Sequence, residues 1–395
     1  VLRVLVLLPV LVGCQMPGGA APALPTPTPL PTAAPTDTLA PATDTPAPTT
    51  ISLDDLKNDL QNVVDLERRA EEANSKDEYL SQIDSGDRDW YHLQQDEFTD
   101  NSYLIGRLKC VANVRYDAEH QTAVADVGID DCPGRYHVGM FFRLVGNRWL
   151  HSQPALNEQG LRNTKKIGPF RVTYHEMDAG YLSVLEQFAP AVYDRVSTVM
   201  DTKQLDVDVD LISRPTDMPR SAFTTIALYN PAIARMSMLS PFFWPSGDGT
   251  EVELDDQIRV TLTHEFTHHA VRTLATTLVP HWINEGMAVY VSQENPTRYV
   301  RDIQQLAIVN RLAPPDALDG LLLDGTTAEL GYAEGYSFVS YLTAQEGDAV
   351  LPKILRDIHQ IQSEDRTRGL DQALQDVTGK GLDAWWAAWR QSVSS

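Results

Sequence analysis

Residues 264–290 read HEFTHHAVRTLATTLVPHWINEGMAVY, and the spacing within this stretch decides how the second half of the chain is built. His264, Glu265 and His268 form an HExxH pattern. The pattern lies in a segment from about 254 to 274, where Ile258, Leu262, Phe266, Ala270 and Leu274 recur at four-residue steps as the buried stripe of a helix. Histidines four apart share a helix face, here roughly opposite the stripe, so both imidazoles can bind one Zn²⁺ while Glu265, the next residue round, points at the water on the metal. After Pro280 a second helix begins, and it carries Glu285. A catalytic zinc takes three protein ligands and keeps one position open, so a carboxylate from a neighbouring helix completes the set. Gly286 beside it lets two helix backbones approach closely.

The run Trp282-Ile283-Asn284-Glu285-Gly286-Met287-Ala288-Val289-Tyr290 after HEFTHH resembles the gluzincin metallopeptidases, specifically peptidase MA-like proteins and, more distantly, aminopeptidases of the leukotriene-A hydrolase type. The resemblance extends over about 165–395, with its strong matches at 264–290 and 332–342. It implies a zinc-dependent peptidase acting on peptide or protein substrates, with zinc ligands at His264, His268 and Glu285 and a general base at Glu265. Residues 332–342, YAEGYSFVSYL, resemble the aminopeptidase segment whose first tyrosine hydrogen-bonds the developing oxyanion, a role that falls here on Tyr332. Tyr336, one helical turn along, is the alternative, and Tyr341 with Phe338 and Leu342 reads as core. Those aminopeptidases also carry a Gly-x-Met-Glu-Asn strand whose glutamate holds the substrate's free amine. Nothing upstream of His264 matches it, and the expected edge strand reads Ala234-Arg235-Met236-Ser237-Met238-Leu239. An edge strand that pairs with extended peptide backbone fits an endopeptidase better than an aminopeptidase. Two rival readings stand beside this one: a zinc hydrolase of non-peptide substrates, and a surface binding or scaffold lipoprotein whose peptidase domain has lost activity. Retention of Glu265 weighs against the second. His269 is expected outside the ligand set, and His281 either orients Glu285, touches substrate or lies exposed.

Outward from the helices, the order of elements reads as α+β. GPFRVTYHE (168–176) is a strand, 179–200 a helix, and LDVDVDLI (205–212) alternates Asp206, Asp208 and Asp210 with apolar residues, a solvated strand face rather than a calcium cage. FTTIALYN (223–230) and ARMSMLSPFF (234–243) supply further strands, and most of the chain beyond 255 is helical, so 166–395 is expected to be a gluzincin domain with a strand-rich upper part. Trp385, Trp386 and Trp389 read as the core of a closing helix. Upstream, 51–165 shows helical spacing over about 53–70 and 78–83, then short Val-, Phe- and Tyr-rich strands near 103–116, 121–130, 136–145 and 148–153. This small α+β domain loosely resembles the cone-shaped fold of nuclear transport factor 2-like domains; the alternative is another small α+β fold. Cys110 and Cys132, on what read as neighbouring strands, are candidates for a disulfide and lack metal-site spacing.

The N-terminus implies an address. Residues 1–14, VLRVLVLLPVLVGC, set Arg3 ahead of a short apolar run ending in Leu-Val-Gly-Cys, which resembles the lipobox of bacterial lipoproteins with Cys14 as the lipidated residue. The alternative is a secretory signal with a chance cysteine. Residues 15–50 are dense in Pro, Thr and Ala and contain no aromatic residue, as in a disordered stalk. The expected location is extracytoplasmic, lipid-anchored to the bacterial cell membrane. A formal charge of -22 repels polyanions, so nucleic acid is not an expected partner. Replacing Cys14 with Ser is expected to release the protein from the membrane fraction, since the stalk has no hydrophobic segment of its own. Continued need for detergent would point to an uncleaved anchor instead.

Overall fold

The computed structural model describes residues 51–394 except 131, 133–135, 204, 220–225, 245–253, 276–278, 295, 324–326 and 362. The expected signal segment, Cys14 and the stalk lie outside the described residues. Ser52 starts the first helix, α1 (Leu53–Glu72), by accepting a hydrogen bond from the Asp55 amide at 3.3 Å. Leu56, Leu60, Val63 and Val64 then fall on one buried face. Two further helices, α2 (Lys76–Leu80) and α3 (Arg88–Ile105), precede an antiparallel meander of β1 (Leu108–Asp117), β2 (Thr122–Ile129), β3 (Tyr136–Val145) and β4 (Arg148–Ser152) in the order β1-β2-β3-β4. The α1 stripe packs on Val111, Val127, Met140 and Phe142 from this sheet. Gln61 of α1 also serves the exposed edge of β1, donating to the Lys109 carbonyl at 2.9 Å and accepting from the Val111 amide at 2.8 Å. Cys110 on β1 is bonded to Cys132 with Cα atoms 5.7 Å apart, and Cys132 sits in a turn beyond β2 rather than on the strand.

Helix α3 departs from the sequence expectation, which began a strand near 103. Its inward side carries Trp90, Leu93 and Phe98 but also Gln94 and Glu97, and these buried polar residues break the apolar period that marks a helix.

The second sheet combines β5 (Arg162–Ile167), β6 (Phe170–His175), β7 (Val207–Ile212), β8 (Ala227–Asn230) and β9 (Arg235–Leu239) in the order β5-β6-β7-β9-β8, with α4 (Leu182–Val199) crossing between β6 and β7. Strands β6, β7 and β9 run parallel; β5 and β8 pair antiparallel at the two ends. The unit takes in Arg162, ahead of the expected start at 166, because β5 and β6 form a hairpin about Gly168, whose φ of 55° suits a glycine. The edge strand is also corrected. The expected one, 234–239, is β9, which lies between β7 and β8; the outer strand is β8. Sequence marks both arms of this hairpin as strands, and only the parallel pairing of β9 with β7 decides which arm goes inside. The alternating aspartates pair with cations of the same sheet, Asp206 with Lys166, Asp208 with Arg171 and Asp210 with Arg235; Asp206, just before β7, is exposed, while Asp208 and Asp210 on β7 are partly covered.

The remaining elements are helical: α5 (Leu254–Ala275), α6 (His281–Ser292), α7 (Pro296–Ile308), α8 (Leu318–Leu323), α9 (Ala328–Glu346), α10 (Val350–Ile361), α11 (Arg366–Thr378) and α12 (Leu382–Val393). Ile258, Leu262, Phe266 and Ala270 are buried as their spacing requires, whereas Leu274 is only half-buried. The opposite, polar face of α5 is buried too, which is unusual for Thr, His and Glu and marks the site. Trp385, Trp386 and Trp389 of α12 pack with Trp282 and Phe338 in the core. The two units touch directly. Asp87 receives Arg214 at 2.9 Å and Gln153 at 2.8 Å, and Gly139 of β3 leaves room for the Phe242 carbonyl, which a Cβ there would meet at 2.3 Å. Among the described residues no helix is long and apolar enough to cross a membrane.

Candidate metal centre

His264 and His268 project from one face of α5 with ring centroids 4.8 Å apart. Facing them, Glu285 rides on α6, whose first turn is fixed when the Trp282 amide donates to Asp319 of α8 at 2.8 Å. Helix α6 then presses against α9 so closely that a Cβ on Gly286 would stand 2.5 Å from the Gly335 carbonyl group. That crossing brings Glu285 Oε2 to 3.2 Å from His264 Nε2 and 3.4 Å from His268 Nε2. One ligand-capable atom from each of the three residues lies within 4.8 Å of the others, and all three side chains are buried.

Further groups surround this cluster. His281 places Nε2 3.3 Å from the second oxygen of Glu285, one helical turn away, without a hydrogen bond between them, and it is largely buried rather than exposed. Glu294 lies 3.1 Å from His264 Nδ1, the ring nitrogen turned away from Glu285. Glu265 is buried, accepts from the backbone of Tyr229 on β8, and keeps Oε2 without a hydrogen-bond partner. His269 faces away from the cluster and its Nδ1 pairs with the Tyr229 hydroxyl at 3.0 Å. Tyr332 of α9 is buried beside the cluster, with its ring centroid 6.5 Å from that of His264. Of its alternatives, Tyr336 packs on Tyr299 and Tyr341 on Trp385.

The electrostatics call for a cation. Burial opposes ionisation of Glu285, yet His268, His264 and His281 hold its carboxyl well below the usual range. Burial likewise opposes a charged His264, but hydrogen bonds to Glu285 and Glu294 raise its pKa to about 10. Burial pushes the Glu265 carboxyl up, against the lowering effect of His268 and His264. Three carboxylates and two imidazoles in a dry pocket are stable only with positive charge among them, supplied by protons on the histidines or by a metal ion. The donor set, two imidazole nitrogens and a carboxylate oxygen converging with an unpartnered carboxylate alongside, fits a Zn²⁺ that keeps an open position.

Glu294 was not legible from spacing. It follows α6 by way of Gln293, whose left-handed conformation (φ 59°) ends the helix and redirects the chain toward His264. Only the turn geometry aims it.

Residues 249–395 match the model of the Peptidase MA superfamily. The match covers every residue of the His–Glu cluster and supports a peptidase-type hydrolase in this part of the chain. No curated protein matches the chain.

A carboxylate on the far nitrogen of a ligating histidine fixes its tautomer and raises its basicity. Glu294→Gln is therefore expected to weaken retention of a divalent ion by about 10- to 100-fold, read by competition with a chelator. Unchanged affinity would show that Glu294 does not act on the metal site.

Proposed function

We propose that the chain is a zinc-dependent metallopeptidase that cleaves within extended polypeptide segments, with His264, His268 and Glu285 holding the ion, Glu265 as general base and Tyr332 as oxyanion donor. The observation that carries this reading is the convergence of three buried ligand atoms within 4.8 Å inside the segment that matches the Peptidase MA superfamily. The ion, when bound, supplies Lewis acidity to a water and to the scissile carbonyl. Glu265 has the position and the environment of a proton acceptor: it follows the first histidine on α5, its Oε2 is unpartnered, and burial raises its proton affinity. It takes the proton from the attacking water and delivers it to the departing amine. Tyr332, buried next to His264, offers a phenol to the oxygen that gains charge as the carbonyl becomes tetrahedral.

Substrate lies along β8. Among the described residues no strand pairs with its outer edge, and the Tyr229 backbone reaches Glu265, so a peptide that paired there would meet the base, although Ala227, Leu228 and Tyr229 are themselves buried. The strand reads Ala227-Leu228-Tyr229-Asn230 and has no carboxylate to hold a free amino terminus, which supports endopeptidase action. The expected lipid anchor at Cys14 would place this activity at the outer face of the membrane.

Glu265→Gln keeps the side-chain shape and loses the proton acceptor. It should lower kcat by about 100-fold or more on a peptide substrate with metal content unchanged, whereas Glu285→Ala should lose metal on dialysis. Equal metal content in the two variants would remove Glu285 from the ligand set, and activity near the parental level in Glu265→Gln would assign the base to another group. Tyr332→Phe is expected to reduce kcat by about 100-fold with KM and metal content preserved, the pattern for a lost oxyanion donor. A parental kcat would leave Tyr332 as packing alone.

A further inference from the structure

Beside His264 and His268, helix α5 carries a second polar pair on one face. Glu265 and His269 lie one helical turn apart and are both buried, at 3% and 7% exposed. Both meet the same residue of β8. The Tyr229 backbone amide donates to Glu265, and the Tyr229 hydroxyl stands 3.0 Å from His269 Nδ1. Because Glu265 Oε2 has no hydrogen-bond partner, the amide falls on Oε1, so the carboxylate is held by one oxygen and keeps the other free.

His269 is itself firmly placed. Its ring lies nearly parallel to that of Phe266, with centroids 6.1 Å apart, and meets the Tyr229 ring edge-on at 5.6 Å. It also donates to the backbone carbonyl of Asp206, just ahead of β7. A neutral imidazole that donates through one nitrogen offers the other as an acceptor, so the Tyr229 phenol donates to Nδ1. The ring thereby ties α5 to both β7 and β8. Strand β8 needs such a tie: it is 4 residues long, and among the described strands it pairs with β9 alone.

We propose that His269 is a positioning residue for the reaction, holding the Tyr229 phenol so that the Tyr229 amide stays on Glu265 and fixes the orientation of its carboxylate. This role presupposes that Glu265 acts as the general base. A glutamate side chain turns about three torsions, and a reacting group displaced by about 1 Å can lose about 100-fold in rate. The amide of a strand pinned at its side chain removes that freedom. Phenylalanine at 229 would fill the same space, but His269 could no longer hold it by a hydrogen bond, so the loss falls on kcat rather than on packing.

The test measures kcat, KM and metal content for the full chain carrying Tyr229→Phe, His269→Leu, both together, or His269→Asn, with Glu265→Gln alongside; the Tyr229 amide is followed by NMR of isotope-labelled tyrosine. Tyr229→Phe and His269→Leu should each lower kcat about tenfold with KM and metal content preserved, and the double variant should fall no further than either one. His269→Asn sets an amide oxygen near the place of Nδ1 and should recover most of the loss. The Tyr229 amide resonance should move in Glu265→Gln and also in His269→Leu. Tyr229→Phe removes a single oxygen and carries the test if His269→Leu does not fold. Parental kcat in folded Tyr229→Phe, or additive losses in the double variant, while Glu265→Gln is inactive, would overturn the proposal and leave the base in place. An active Glu265→Gln would remove the base and the proposal together.

Discussion

Gly286 and Gly335 allow the backbones of α6 and α9 to meet where no side chain fits, since a Cβ on Gly335 would stand 2.5 Å from the Trp282 carbonyl. Everything at the candidate metal centre depends on this approach. It sets how far α6 stands from α5, and therefore where Glu285 meets His264 and His268. It also holds α9 in the same layer, so that Tyr332, just under one turn before Gly335, lies beside His264. Any larger residue at the crossing would push α6 and α9 apart by a distance comparable to the reach of a metal–ligand bond, so the two glycines fix the geometry of the His–Glu cluster as much as packing.

Charge is the second constraint. A buried carboxylate costs several kcal/mol unless it is paired and hydrogen-bonded, and this centre contains Glu265, Glu285 and Glu294 within reach of two histidines. Such an arrangement is a poor way to stabilise a fold. It is a good way to hold a divalent cation, because an ion would satisfy the carboxylate and imidazole lone pairs together, with Glu294 against the far nitrogen of His264. The surrounding apolar core, with Phe266 and Phe170 on one side and Trp282, Phe338 and Trp386 on another, excludes water from this cluster and makes each charge interaction stronger.

The parts of the molecule legible in the sequence are those that obey the helix repeat. His264 and His268 on one face, the buried stripe of Ile258, Leu262 and Phe266, the close approach at Gly286 and the aromatic core of α12 all result from local spacing, which the chain reports directly. The illegible parts depend on contacts between distant segments. Glu294 is aimed by a left-handed residue at a helix end. The β8–β9 hairpin inserts its second arm against β7, a choice that no property of either arm reveals. Helix α3 hid because Gln94 and Glu97 occupy its inner face, where they line a small cavity. Local pattern fails where chemistry has displaced packing.

Whether His264, His268 and Glu285 together hold one zinc ion can be tested without reference to substrate, by anomalous diffraction from crystals of the purified chain recorded on both sides of the zinc absorption edge. The expected result is a single zinc peak about 2.0–2.2 Å from a nitrogen of each of His264 and His268 and from a carboxylate oxygen of Glu285. No zinc peak in crystals grown with the metal, or a peak whose ligands omit Glu285, would contradict it.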